Sequence, residues 1–145
     1  MRQLSLHRRV RRGSKSQRQV SFLDLVVSCG PSHKSLYDEL CRRGYDYVSC
    51  IGWLSSELDR EARARLALES PGDLEGGRSA LYICPECADL GCGAISVLVS
   101  PDGADIVWSG FGLQNNYEEG FIAEERLGPF RFDAEQYLDA LQTVV

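Results

Sequence analysis

Polar and apolar residues begin to alternate at Val20. Leu23, Leu25, Val27 and Cys29 lie on one side and Asp24, Val26 and Ser28 on the other, the period of a strand with one strongly apolar face. Gly30-Pro31-Ser32 breaks that run. Leu36, Tyr37, Leu40 and Cys41 then recur at helical spacing. Arg42 and Arg43 suit the negative end of this helix, and Gly44 suits the left-handed residue beyond it. Tyr45 to Trp53 is β-prone and predicts a second strand near 45–52. Ser56 reads as the N-cap of a further helix, with Leu58, Ala62, Leu66 and Ala67 inward and a mixed-charge face outward. Ser70-Pro71-Gly72 stops it.

The centre of the chain predicts a meander. Ala80 to Ile83 forms one strand, Cys84 to Gly93 a turn-rich connection, and Ala94 to Val99 the next strand. Pro101-Asp102-Gly103 then turns the chain so that Asp105 to Trp108 pairs back. Gly110 to Gly128 is irregular and acidic, and its Glu118, Glu119, Glu124 and Glu125 read as exposed carboxylates rather than an acid–base pair. Asp133 and Gln136 make a capping box for a last helix that packs through Tyr137, Leu138 and Leu141. The expected class is α+β. An antiparallel sheet, the meander over about 79–111 plus strands near 20–29 and 45–52, packs against two or three helices.

Charge divides the chain. Residues 1–19 carry seven Arg and Lys and no carboxylate, which leaves nine basic against 21 acidic groups from Val20 onward, a body near −12. The expected organisation is a basic, disordered tail over 1–19 and a single α+β domain over 20–145. Met1 is the one methionine, so starts at Val10 or Val20 would leave that tail outside the chain. An acidic body repels nucleic-acid phosphates and suits a basic protein partner. The tail is expected to be a solvated arm with no role; the alternatives are contact with nucleic acid, which the domain itself would not bind, with a membrane surface or with the protein's own acidic face. Without an apolar run of about 20 residues or a signal-type leader, the expectation is a cytoplasmic protein with no membrane contact.

A reducing compartment changes the meaning of six cysteines from disulfides to buried thiols, metal or redox chemistry. Cys29, Cys41 and Cys50 fall on periodic segments and are expected to be inert core thiols. Cys84, Cys87 and Cys92 form C-x2-C-x4-C. A C-x2-C turn brings two sulfurs onto one tetrahedral ion, and Cys92 between two glycines offers a third. One reading is a zinc half-site of Cys84, Cys87 and Cys92 that lacks a fourth donor at a recognisable spacing, with Cys50 or a distant carboxylate to complete it. A second reading is thiol oxidoreductase chemistry at Cys84 and Cys87. That reading wants a helix N-terminus to lower the thiol pKa, and glycines and a β-prone run follow instead. The third reading is a purely structural thiol cluster, open to disulfide formation in air.

Phosphate loops, H-E-x-x-H and G-x-S-x-G are absent from the sequence, and a histidine base would have to be His7 or His33. The run Leu81 to Ala94, then Val107 to Phe111, then Leu127 to Asp133 with Tyr137 and Leu141, resembles a family of small uncharacterised bacterial proteins, mainly of actinomycetes. The likeness spans about residues 20–143, and the excess of 14 Arg over 2 Lys suits a GC-rich genome. Some members are labelled oxidoreductase, but the resemblance implies no catalytic residue. Trp53, Trp108, Phe111, Tyr117 and Phe121 are read either as surface aromatics for a partner or simply as core packing. The expected function is a non-enzymatic binding or accessory protein, immunity-like or regulatory, with a structural cysteine cluster. The alternatives are a zinc-stabilised binding module and a thiol oxidoreductase.

Overall fold

A computed structural model describes residues 1–87, 92–114 and 120–144. The chain opens with β1 (Gln3–Arg11), β2 (Val20–Cys29) and β3 (Ser32–Ser35), an antiparallel sheet in that order. Helix α1 (Leu36–Arg42), the two-residue strand β4 (Val48–Ser49) and helix α2 (Ser56–Leu66) follow. The meander is β5 (Ser79–Ile83), β6 (Ala94–Asp102) and β7 (Asp105–Gln114). Short strands β8 (Ile122–Ala123) and β9 (Phe130–Asp133) both pair with β7, and α3 (Ala134–Ala140) ends the fold. The larger sheet runs β4-β5-β6-β7-β8, with β9 also on β7. Antiparallel sheets with three helices make the α+β class plain.

The two sheets are joined on both sides. Leu23 N donates to Ile51 O at 2.9 Å, and Ser49 Oγ donates to Leu23 O at 2.6 Å, so β2 sits against the β4 end. On the other side Arg2 N donates to Arg131 O at 2.8 Å, which brings β1 to β9. The core includes a ring cluster in which Trp108 meets Phe111, Phe132 and Tyr137 edge-on. Tyr137 Oη accepts from Trp108 Nε1 at 2.9 Å and donates to Leu66 O at 2.6 Å, so both buried polar groups are satisfied.

Residues 1–19 overturn the expectation of a disordered tail. Nine of them form β1, whose Leu4 and Leu6 are almost wholly buried against Val27 and Leu25 of β2. The alternation Leu4-Ser5-Leu6-His7 supplies an apolar face that pays for ordering the segment. The arginines find carboxylates: Arg9 pairs with Asp38 at 2.6 Å and Arg11 with Asp46 at 2.6 Å. The basic segment thus binds the protein's own acidic face.

Strand β2 is covered on both sides. Leu23, Leu25 and Val27 face one layer, while Phe22 packs against Tyr37 of α1 with the rings tilted and 5.1 Å between centroids. Asp24, only 1% exposed, accepts from Ser35 Oγ at 2.5 Å, Tyr37 N at 3.1 Å and the Tyr82 hydroxyl. Burial of a carboxylate requires such donors. Other differences are local. The strand expected over 45–52 shrinks to Val48–Ser49, because Tyr45 N turns back to Leu40 O and Gly52 adopts φ +93. Ser55, not Ser56, caps α2. Cys29 and Cys41 are exposed rather than core thiols, since each lies at an element's end where its face leaves the core. Cys50 is buried as expected. Among the described residues no helix is long and apolar enough to cross a membrane.

Candidate functional site

Strand β5 delivers the first sulfur. All five of its residues are buried, and the pairing of Ile83 with Ala94 closes the sheet just before the cysteine connection begins. Cys84 is half-buried, Pro85 is buried, and Cys87 and Cys92 are exposed. The connection returns to β6 through Gly93 at φ +98, where a Cβ would lie 3.0 Å from Tyr47 Oη and 3.2 Å from Leu113. Only glycine fits that return. Tyr47 Oη in turn donates to Cys92 O at 3.2 Å. Desolvation, and next the nearby Cys84, raise the Tyr47 hydroxyl above the usual tyrosine range.

The C-x2-C turn is braced from the far end of β1. Glu86 Oε1 accepts from Arg11 Nη1 at 2.7 Å and from Arg18 N at 3.0 Å. Arg11, 4% exposed, also grips Asp46 with two parallel bonds of 3.1 and 2.6 Å and donates to Arg18 O at 2.8 Å. The Asp46 bonds first, opposed by desolvation and helped by Glu86, hold the Arg11 guanidinium well above its ordinary pKa. The Arg11 hydrogen bond lowers the Glu86 carboxyl. Such planar, two-pronged pairing fixes direction as well as charge.

The sulfurs of Cys84, Cys87 and Cys92 all lie within 4.8 Å of one another. Cys84 Sγ is 3.7 Å from Cys87 Sγ, and Cys87 and Cys92 form a disulfide. Ligand sulfurs on a tetrahedral ion with bonds of about 2.3 Å sit about 3.8 Å apart. The Cys84–Cys87 separation therefore matches a shared ion. Thiol–disulfide exchange has a different requirement, since the attacking sulfur lines up with the bond it breaks. With an S–S bond of about 2 Å, in-line attack on Cys87 would put Cys84 and Cys92 sulfurs about 5.7 Å apart. They are no more than 4.8 Å apart. The three sulfurs make a triangle, not a line. Moreover, no helix among the described residues starts at Cys84 to favour a thiolate.

Cys50 does not join the group. Its thiol points to Ala80 O at 3.7 Å, and burial pushes its pKa up to about 12. His7 and His33 lie on β1 and β3, where His7 Nε2 hydrogen-bonds Ser5 Oγ at 2.9 Å and His33 Nδ1 hydrogen-bonds Ser28 Oγ at 2.7 Å. Glu124, read from sequence as an exposed acid, accepts from the Tyr45 hydroxyl and from Arg43 at 3.0 Å. Glu118, Glu119 and Tyr117 lie outside the described residues. Trp108 and Phe111 are core, Trp53 is half-buried, and Phe121 is exposed beneath the Arg78 guanidinium at 4.3 Å.

Arg11, Arg18, Asp46 and Tyr47 are the site residues that sequence reasoning missed. Within a run of basic residues nothing marked Arg11 apart from Arg12. By the strand period Arg11 lies on the face opposite Leu4 and Leu6, where no apolar neighbour in sequence signals burial. No protein-family model matches the chain, nor does any curated protein or solved structure.

Proposed function

We propose that the chain is a non-enzymatic binding or accessory protein whose Cys84, Cys87 and Cys92, once reduced, hold a zinc ion. One observation carries the reading: three sulfurs from a single strand-to-strand connection converge within 4.8 Å. Soft thiolates select zinc among the common divalent ions. Metal and disulfide are alternative ways to close the same loop, and both leave Glu86 held by Arg11. The triangular arrangement supports this over oxidoreductase chemistry at Cys84 and Cys87. A formal charge of −5 favours a basic protein as the partner of the remaining surface.

Elemental analysis of protein purified under reducing conditions, without added metal, tests the reading. One zinc per chain, lost in Cys87→Ser, is the expected result. Folded, fully reduced protein that neither carries zinc nor takes it up in titration sinks it.

A further inference from the structure

We infer that the metal held by Cys84, Cys87 and Cys92 keeps one coordination position open to a neutral exogenous donor, water or an imidazole-type nitrogen. The inference rests on the zinc reading and adds what kind of zinc site this is. Structural zinc sites are closed by four protein ligands, whereas sites that bind or activate a ligand have three and leave the fourth place free.

Among the described residues only the three cysteines come together as a ligand group. Among the described residues, the donors proposed from sequence and the carboxylates that Arg11 contacts are engaged elsewhere. Cys50 is buried and turned to Ala80 O. The two histidines are tied to serines on the three-stranded sheet. Glu86, the carboxylate inside the C-x2-C turn, has the same Oε1 bonded to both Arg11 and Arg18 N. Asp46 is clamped by Arg11. Arg11 thus engages both carboxylates and supports the turn.

Two of the three sulfurs belong to exposed residues, so a ligand from outside can reach the ion. Binding a divalent ion displaces three thiol protons and leaves the centre with one net negative charge. A neutral fourth donor adds nothing to that charge, whereas a fourth thiolate would double it on a chain whose formal charge is already −5.

Cobalt(II) reports both coordination number and ligand exchange through its visible bands, and thiolate count through its sulfur-to-metal band. The full chain, reduced and loaded with one cobalt, is titrated with imidazole. The expected result is a saturable shift of the visible bands at one imidazole per cobalt, with the sulfur band retained. Cys84→Ser should lose about a third of the sulfur band, while Cys50→Ser and Asp89→Asn should behave as the parent. A cobalt site that shows three thiolates but ignores imidazole, or that changes in Asp89→Asn, overturns the open position and leaves the zinc reading standing. No sulfur-to-cobalt band at all overturns both.

Discussion

Arg11 of β1 and Glu86 of the cysteine turn meet in a 2.7 Å ion pair across 75 positions of sequence. The pair makes the first strand a brace for the sulfur site. Arg11 is buried beneath its partners, whereas Asp46 and Glu86 remain partly open to solvent. The guanidinium is therefore the member whose loss leaves the most undone.

Arg11→Met keeps much of the packing and removes every donor. Asp46 then loses a two-pronged hydrogen bond, worth about 2 kcal/mol for charged partners, with a discount for its exposure. A lower urea midpoint at unchanged slope is the expected readout, together with faster alkylation of Cys84. Glu86→Gln should have the smaller effect, because Arg11 keeps Asp46. Equal stability of Arg11→Met and the parent would remove the brace from the account.

Legibility in the sequence followed the range of the interactions. The meander was readable because Pro101-Asp102-Gly103 is a local turn, with Gly103 at φ +62, between two β-prone runs. The Asp133 cap was readable for the same reason, its Oδ2 accepting from Gln136 N at 3.0 Å. Cys84, Cys87 and Cys92 converge because the spacing itself brings them round. What failed was non-local. Charge outvoted the Leu4 and Leu6 alternation in residues 1–19, since the acids that neutralise Arg9 and Arg11 lie far along the chain. Cys29 and Cys41 were misplaced because periodicity gives a face and not where that face leaves the core.

Tyr137→Phe isolates one buried polar link. It keeps the ring against Trp108 and Phe132 but strands Trp108 Nε1 and Leu66 O without their shared partner. Leaving such buried groups unpaired costs about 2 kcal/mol. At this chain length that lowers Tm by about 4–8 °C. A calorimetric scan checks it, and a Tm within a degree of the parent would mean the hydroxyl carries little.

Thiol accessibility separates the six cysteines. Under non-reducing native conditions at pH 8, Cys29, Cys41 and Cys84 should be alkylated and Cys50 should not. Cys41 should lag Cys29, because desolvation raises its thiol pKa and thins its thiolate. Cys50 is both buried and pushed up to about 12. Cys87 and Cys92 should label only after reduction. Peptide mapping by mass spectrometry reads all six sites, and early labelling of Cys50 would contradict its place in the core.

Acid should loosen the α1 region. The Arg9 hydrogen bond lowers the Asp38 carboxyl, and those of Arg42 and then Arg43 lower Glu39. A carboxyl with a depressed native pKa binds fewer protons folded than unfolded, so falling pH favours the unfolded chain. Its stabilisation is complete above the unfolded value, about 4 for these side chains, and is lost as pH drops through the lower native value. Unfolding free energy from urea titrations should change little between pH 7 and pH 5 on account of these groups and fall between pH 4 and pH 2. Asp38→Asn removes one of the two titrations and should flatten that fall while lowering stability at neutral pH, since Arg9 loses its nearest charge. The same acid slope in parent and variant would show that the Arg9–Asp38 pair does not hold α1 against the first sheet.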